Sequence, residues 1–541
     1  MMPGSLIQSS IREKTLFKLV ESRVKALFEH NENGLLNGRQ IGVEKESLRV
    51  SPKGGISQLP HPQSLGSALT NPYITTDYSE ALLEFITPPS EHIESVLDFL
   101  RDSQLYVYKK LQQDEILWAT SMPCVMAGES SIPIANYGSS NAGQMKSIYR
   151  RGLGHRYGRP MQVIAGVHFN YSLPESFWPI YKTLLGETEL SLKDFQSEQY
   201  FSLIRNLQRF GWLVPYLFGA SPAVCKSFLG GAQSSLLEFD ENTYYEPYAT
   251  SLRMGDIGYQ NNKESETGVK ACYRNLDSYV QTLQRAIETP FPEYEKIGVK
   301  VNGEYQQLNA NLLQIENEYY STVRPKQICQ GIEKPIMALK KRGVRYVELR
   351  SLDVNAFDPL GINETQLRFI EIFMLFCLLS ESDQICFSER EEIDKNELLV
   401  AHQGRDPLLE LNHKANKIKL KDWALELLEG MQSVSELLDQ HKQATPYRDA
   451  LQLQRNKVLD PELTPSARML NEMRETGEGF YHFAKRMSQK HNQYFTKLHL
   501  AEERSQFFDA AVAESIKRQK QIETTDTLDF ETYLQNYFNQ V

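Results

Sequence analysis

Residues 41–50 read Ile41-Gly-Val-Glu44-Lys-Glu46-Ser-Leu48-Arg-Val50. Side chains alternate along a strand, so Glu44 and Glu46 fall on the same face as Leu48 and Val50. One Glu-x-Glu pair on its own fits a solvated sheet face. The pattern recurs, however. In ALLEFITP, Glu84 shares a face with Leu82 and Ile86, and Asp77 lies just upstream in ITTDYSEA. In VRYVELRSL, Val344, Tyr346, Glu348 and Arg350 share a face. A buried carboxylate is costly unless paired or bound to a metal, so several strands each offering one point to a shared charged ligand. Oxygen donors with few nitrogens and no thiolates suit a hard cation, and Mg²⁺ is the usual one when a nucleotide phosphate completes the coordination. His168, in GVHFNYSL, shares its strand face with Asn170 and on its own reads as a satisfied core residue.

Working outward, Leu6–Phe28 is expected to open the chain as a helix, followed by the 41–50 strand and a second strand at Ala81–Thr87, closed by Pro88 and Pro89. Ile93, Val96, Leu97 and Leu100 recur at helical spacing, which predicts an amphipathic helix over residues 91 to about 115. Further strands are expected at Val163–Leu173, Asn311–Glu318 and Val344–Leu352, separated too irregularly for repeating βαβ units. Asn363 and Gln366 have the spacing of a capping box, and residues 497–521 carry good helix formers. The reading is an α+β chain: a catalytic region over residues 1–360 and a mostly helical region over 361–541.

Composition narrows the chemistry. The 541 residues are 41% hydrophobic and 24% charged, an ordinary globular mixture, and the net charge of −10 offers no basic field for nucleic acid. The N-terminus breaks its apolar residues with charges from Arg12 onward, unlike a secretory signal. The longest apolar run, Ile372–Leu379, falls far short of the roughly 20 residues that span a bilayer. A cytosolic protein with no membrane partner is expected. Six cysteines show no CxxC spacing and are read as free or buried thiols, and the 11 histidines contain no HExxH pair. There is no GxxxxGK[ST] loop, and Gly152-Leu-Gly154-His-Arg-Tyr-Gly158 has the wrong spacing and context for a dinucleotide loop.

Eight stretches then carry a resemblance. VEKESLRV, ALTNPYITTDYSEALLEFITP, MPCVMA, IAGVHFNYSLP, RFGWLVPYLFGASPAVC, YATSLRMGDIGY, LQIENEYYSTVRPK and YVELRSLDVNAFDPLG resemble the γ-glutamylcysteine synthetase (glutamate-cysteine ligase) family of the proteobacterial type. The likeness runs in one order from about residue 40 to 375 and resumes near LDPELTPSARML. It is weak over about 386–440, and Lys45 stands where the family has arginine.

The resemblance implies a curved, mainly antiparallel sheet like that of glutamine synthetase, with flanking helices. It implies ATP-dependent joining of glutamate to cysteine through a γ-glutamyl phosphate, the first step of glutathione synthesis. Other readings are a ligase for a different amine and a non-catalytic nucleotide or amino-acid binding protein. By resemblance, Glu44, Glu46, Asp77, Glu84, His168 and Glu348 form the metal set for more than one Mg²⁺, with Mn²⁺ as a substitute. Glu348 and Arg350 are the expected catalytic pair, Arg350 facing the ATP phosphates and Arg253 binding glutamate. Tyr149, Leu153, Gln162, Tyr259 and Tyr320 are similar to the cysteine pocket, and glutathione is the expected feedback inhibitor.

Overall fold

The quoted segment forms the long central strand of a seven-stranded sheet. A computed structural model describes residues 4–31, 34–112, 114–258 and 270–540. We number the main-sheet strands β1 (Gln40–Val50), β2 (Ile74–Thr76), β3 (Leu82–Ile86), β4 (Ile116–Leu117), β5 (Gly166–Ser172), β6 (Val323–Lys326) and β7 (Tyr346–Asp353). Their order is β6-β7-β5-β1-β3-β2, with β4 pairing the end of β1. Every ladder is antiparallel, as expected for the α+β class. Pro325 lacks a backbone N–H, which fits its place on the edge strand β6.

Register decides which side chains meet. Glu44 lies opposite His168, Glu46 opposite Glu84, and Glu348 opposite both Asn170 and Arg324. Directly paired residues project to one side of a sheet, so the polar residues of five strands gather on one face.

Helices cover the other face and flank the sheet. α1 (Gly4–Asn31) opens the chain and α2 (Ile93–Tyr108) buries Ile93, Val96 and Leu100. Lys45, pointing away from Glu44 and Glu46, donates from Nζ to Gln104 Oε1 of α2 at 2.9 Å and to Ser47 Oγ at 2.6 Å. α3 (Asn141–Tyr157) is capped by Ser140, whose hydroxyl accepts the Gly143 N–H. α4 (Leu192–Phe210) packs on α5 (Glu364–Leu379), which is buried almost throughout its length. Its start shows the anticipated capping box: Gln366 N–H donates to Asn363 Oδ1 at 3.0 Å, and Asn363 N–H to Gln366 Oε1 at 3.2 Å. Near the C-terminus, α6 (Phe480–Lys497) and α7 (Glu502–Thr525) pack on α2. No helix among the described residues is long and apolar enough to cross a membrane.

Several expectations need correcting. Asn311–Glu318 is not a strand: it holds an isolated bridge at Asn311 and a 3-10 turn at Glu316–Glu318. Its polar side chains take backbone groups a ladder would need, with Asn309 Oδ1 accepting Asn311 N–H at 2.9 Å and Glu318 Oε2 accepting Gln314 N–H at 2.7 Å. The helix predicted over 91–115 ends at Tyr108, and the strand predicted from Val163 begins at Gly166, after a 3-10 turn at Pro160–Val163. The cysteines are not all thiols. Cys124 and Cys225 form a disulfide across a sequence separation of 101 residues, which no local spacing could announce.

Candidate active site

Strand register brings Glu44 (β1), Glu84 (β3) and His168 (β5) together, and each offers a ligand atom within 4.8 Å of the others. His168 Nδ1 is 3.1 Å from Glu44 Oε2 and 3.8 Å from Glu348 Oε1, while Nε2 is 3.7 Å from Glu46 Oε1. Asn170 Nδ2 donates to Glu44 Oε1 at 3.0 Å. Glu46 Oε2 accepts the Gly166 N–H at 2.6 Å. Thus one imidazole sits among carboxylates from three strands.

Proton affinities across this face diverge. Burial, reinforced by the charges of Glu44, Asp77 and Glu46, pushes Glu84 well above the ordinary carboxylate range. Glu46 is raised by burial and by Asp77, against the opposing pull of His168 and Arg253. Burial works against ionising Glu348 too, but Lys326 and Arg350 hold it well below the usual range. Glu44 is also lowered: burial opposes ionisation, but the His168 hydrogen bond favours it. Such divergence among adjacent acids is a mark of a functional site. Asp77 lies in the turn after β2, its carbonyl accepting Tyr137 Oη at 2.8 Å and the Arg150 Nε–H.

Arg350 Nη1 donates to Glu348 Oε1 at 3.0 Å and lies 3.4 Å from His168 Nδ1. Arg253 comes from a distant segment and is 2% exposed. Its Nη2 donates to the Arg350 carbonyl at 3.0 Å, and its Nη1 stands 3.7 Å from Asp353 Oδ1. Gly166 makes this approach feasible, since a Cβ there would meet Arg253 Nη2 at 2.1 Å.

A second group surrounds α3. Tyr149 and Leu153 are one helical turn apart, and Gln162 lies on the 3-10 turn before β5. Tyr320 Oη donates to Gln162 Oε1 at 2.7 Å. Gln162 Nε2 is buried without a hydrogen-bond partner. Gln314 Nε2 donates to the Tyr149 carbonyl at 3.2 Å, and the buried pair Arg156–Glu318, at 2.8 Å, fastens α3 to the segment carrying Tyr320. Tyr259 lies outside the described residues. A cavity of about 630 Å³ near Arg209, His413 and Trp423 shares no residue with either group.

Sequence reasoning did not single out Lys326, whose Nζ is 3.4 Å from Glu348 Oε2, or Arg324, the cross-strand partner of Glu348. The signal available was two cations alternating around Pro325, which marks an edge strand. Asn170 and Gly166 likewise gain their roles only from register.

Comparison with known proteins gives concordant results. The family model described as "Glutamate-cysteine ligase" matches residues 24–400. A glutamate–cysteine ligase of Alcanivorax borkumensis is 47% identical over 527 residues, covering 96% of this chain and all of that relative. One from Pseudomonas putida is 49% identical, covering 92% and 94% respectively. Among solved structures, the glutamate–cysteine ligase of Francisella tularensis in complex with AMP superposes with a TM-score of 0.86 at 36% identity, covering 92% of this chain and 97% of that one.

Proposed function

Because the chain belongs to the glutamate-cysteine ligase family, we propose that this sheet face joins the γ-carboxylate of L-glutamate to the amine of L-cysteine at the expense of ATP. The products are γ-glutamylcysteine, ADP and phosphate. The observation that carries this reading is the convergence of Glu44, Glu84 and His168 within 4.8 Å on the face that also presents Glu46, Glu348 and Arg350.

A carboxylate is a poor acyl donor, because an amine cannot expel oxide at neutral pH. Transfer of the ATP γ-phosphoryl group to the glutamate γ-carboxylate supplies a leaving group, and the cysteine amine then attacks the acyl phosphate. Glu44, Glu46, Asp77, Glu84, His168 and Glu348 would hold more than one Mg²⁺, a fit supported by their oxygen-rich donor set and by the raised proton affinity of Glu84. Bound there, Mg²⁺ would supply positive charge to the phosphoryl oxygens. Arg350 orients and neutralises the transferring group from the β7 side. Arg253, held by the Arg350 carbonyl in the space that Gly166 leaves open, would bind the glutamate end.

Tyr149, Leu153, Gln162 and Tyr320, with Tyr259, form the cysteine subsite in this reading. Tyrosines give apolar walls with polar tips, which suits a polarizable thiol. Glutathione contains the γ-glutamylcysteine unit and should occupy the same subsites, inhibiting in competition with glutamate. The reaction is the first step of glutathione synthesis and belongs in the cytosol.

The test is ADP release from ATP and glutamate, measured with cysteine, 2-aminobutyrate or ammonia. ADP formation should require glutamate and rise sharply with cysteine. The reading fails if ammonia supports turnover as well as cysteine does, or if glutamate has no effect.

A further inference from the structure

Several arginines around the sheet are fixed by multiple contacts. Arg49 pairs with Glu115 at 2.8 Å and donates to the carbonyls of Leu59, Pro60 and Glu80. Arg156 meets Glu318, Gln307 and the Asn309 carbonyl. Arg324, although opposite Glu348, directs Nη2 to the carbonyls of Asn317 and Tyr319 at 3.0 and 2.5 Å. These are structural cations.

Lys326 is held differently. It sits two residues from Arg324 on the same face of edge strand β6, and its side chain is 29% exposed. Its one ion pair among the described residues is to Glu348 Oε2 at 3.4 Å, and Glu348 Oε2 itself has no hydrogen bond. The closer partner of Glu348 is Arg350, which donates to the other carboxylate oxygen, Oε1, at 3.0 Å. Lys326 is therefore drawn toward the site by charge while its ammonium donors remain available.

Its position matters because charge changes sign across the face. Asp77 follows β2, Glu84 lies on β3, Glu44 and Glu46 on β1, His168 on β5, Glu348 and Arg350 on β7, and Lys326 on β6 at the rim. An anionic chain held at the carboxylate side through bound cations is attracted toward the Arg350 and Lys326 side. A lysine suits that rim as a compact charge on a flexible stem, with donors that can rotate onto non-bridging phosphate oxygens.

We propose that Lys326 is a nucleotide-binding residue of this site, swinging from Glu348 onto the polyphosphate of ATP so that the phosphates lie across β7 toward the β6 edge. This rests on the ligase reading above. The test compares K326M, K326Q and K326R with the wild-type protein. Calorimetry would measure binding of magnesium with a non-hydrolysable ATP analogue, alongside separate KM values for ATP, glutamate and cysteine. K326M and K326Q should bind the nucleotide roughly 10- to 100-fold more weakly, the loss typical of a charge-assisted contact. The KM for ATP should rise in parallel while that for glutamate stays within about twofold, and K326R should recover part of the affinity. Wild-type nucleotide affinity in a folded K326M or K326Q overturns the proposal, even if kcat falls, since that pattern assigns Lys326 to holding Glu348. A wild-type protein that binds no nucleotide overturns the ligase reading and this inference together. If only the variants are unaffected, this inference alone fails.

Discussion

Glu44 and His168 are direct cross-strand partners on β1 and β5, with Glu44 Oε2 3.1 Å from His168 Nδ1. That contact leaves His168 Nε2 directed toward Glu46, at 3.7 Å. One imidazole thus links two carboxylates of a single strand, and its orientation is set by the first of them. A ring held this way keeps a defined edge toward any cation bound between the strands.

Glu84 stands opposite Glu46, among carboxylates that raise its proton affinity. Glu84→Gln keeps the shape and removes the charge. Its melting temperature should equal or exceed that of the wild type, because like-charge repulsion is relieved, while magnesium-dependent turnover falls at least about 100-fold. Calorimetric melting and a magnesium titration of activity check both halves. Near-normal activity with normal magnesium dependence would remove Glu84 from the metal set.

The raised Glu84 carboxyl also makes magnesium binding proton-linked. Ligation requires the carboxylate, so binding should release a proton and weaken as pH falls below the raised pKa. Titrations in buffers of different ionisation enthalpy should give different apparent binding enthalpies. Identical enthalpies across buffers would contradict the linkage.

Lys45 gives a pH-dependent contribution to stability. The residue is 4% exposed, and burial lowers its pKa from 10.5 to about 7, with the charge of Asp358 opposing. Below about pH 7 the group is charged in both folded and unfolded chains, and the burial penalty is fully present. Between about 7 and 10.5 the unfolded chain binds the proton and the folded one does not, so stability rises with pH by up to about 1.4 kcal/mol per unit. Lys45→Met removes that slope. Denaturant midpoints of the two proteins should therefore move in the wild type's favour from pH 7 to 9, and parallel pH profiles would refute the assignment.

Much of this site was legible in the sequence, and the part that was not has definite physical causes. Glu44, Glu46, Glu84 and Glu348 stood out because strand alternation placed charge among apolar neighbours, and the structure sets them on one face. His168 could not be distinguished from a core histidine until register set it opposite Glu44. The position of Arg253 depends on the missing side chain of Gly166, more than 80 residues away, which no local pattern reveals. The 311–318 segment, expected as a strand, instead has its backbone groups taken by Asn309 and Glu318, which close local turns. Cys124 and Cys225 needed the tertiary fold to bring them together.

The cysteine subsite makes a narrower prediction. Tyr320 Oη is hydrogen-bonded to Gln162 at 2.7 Å. Tyr320→Ala should raise the KM for cysteine by roughly tenfold or more and leave that for ATP nearly unchanged. Discrimination between cysteine and 2-aminobutyrate should stay modest, since a small change in a mostly apolar pocket is worth only about 1–3 kcal/mol. Steady-state kinetics on the folded fraction decide: a lowered melting temperature with an unchanged cysteine KM would make Tyr320 an ordinary core residue.

The most direct test of phosphoryl transfer to glutamate on this face follows one oxygen atom. Glutamate labelled with ¹⁸O in its γ-carboxylate would be turned over with ATP and cysteine, and the phosphate and peptide analysed by mass spectrometry. The account predicts that each γ-glutamylcysteine formed is matched by one phosphate carrying a single ¹⁸O, delivered through the acyl phosphate. Unlabelled phosphate, released at the same rate as the peptide, would contradict it.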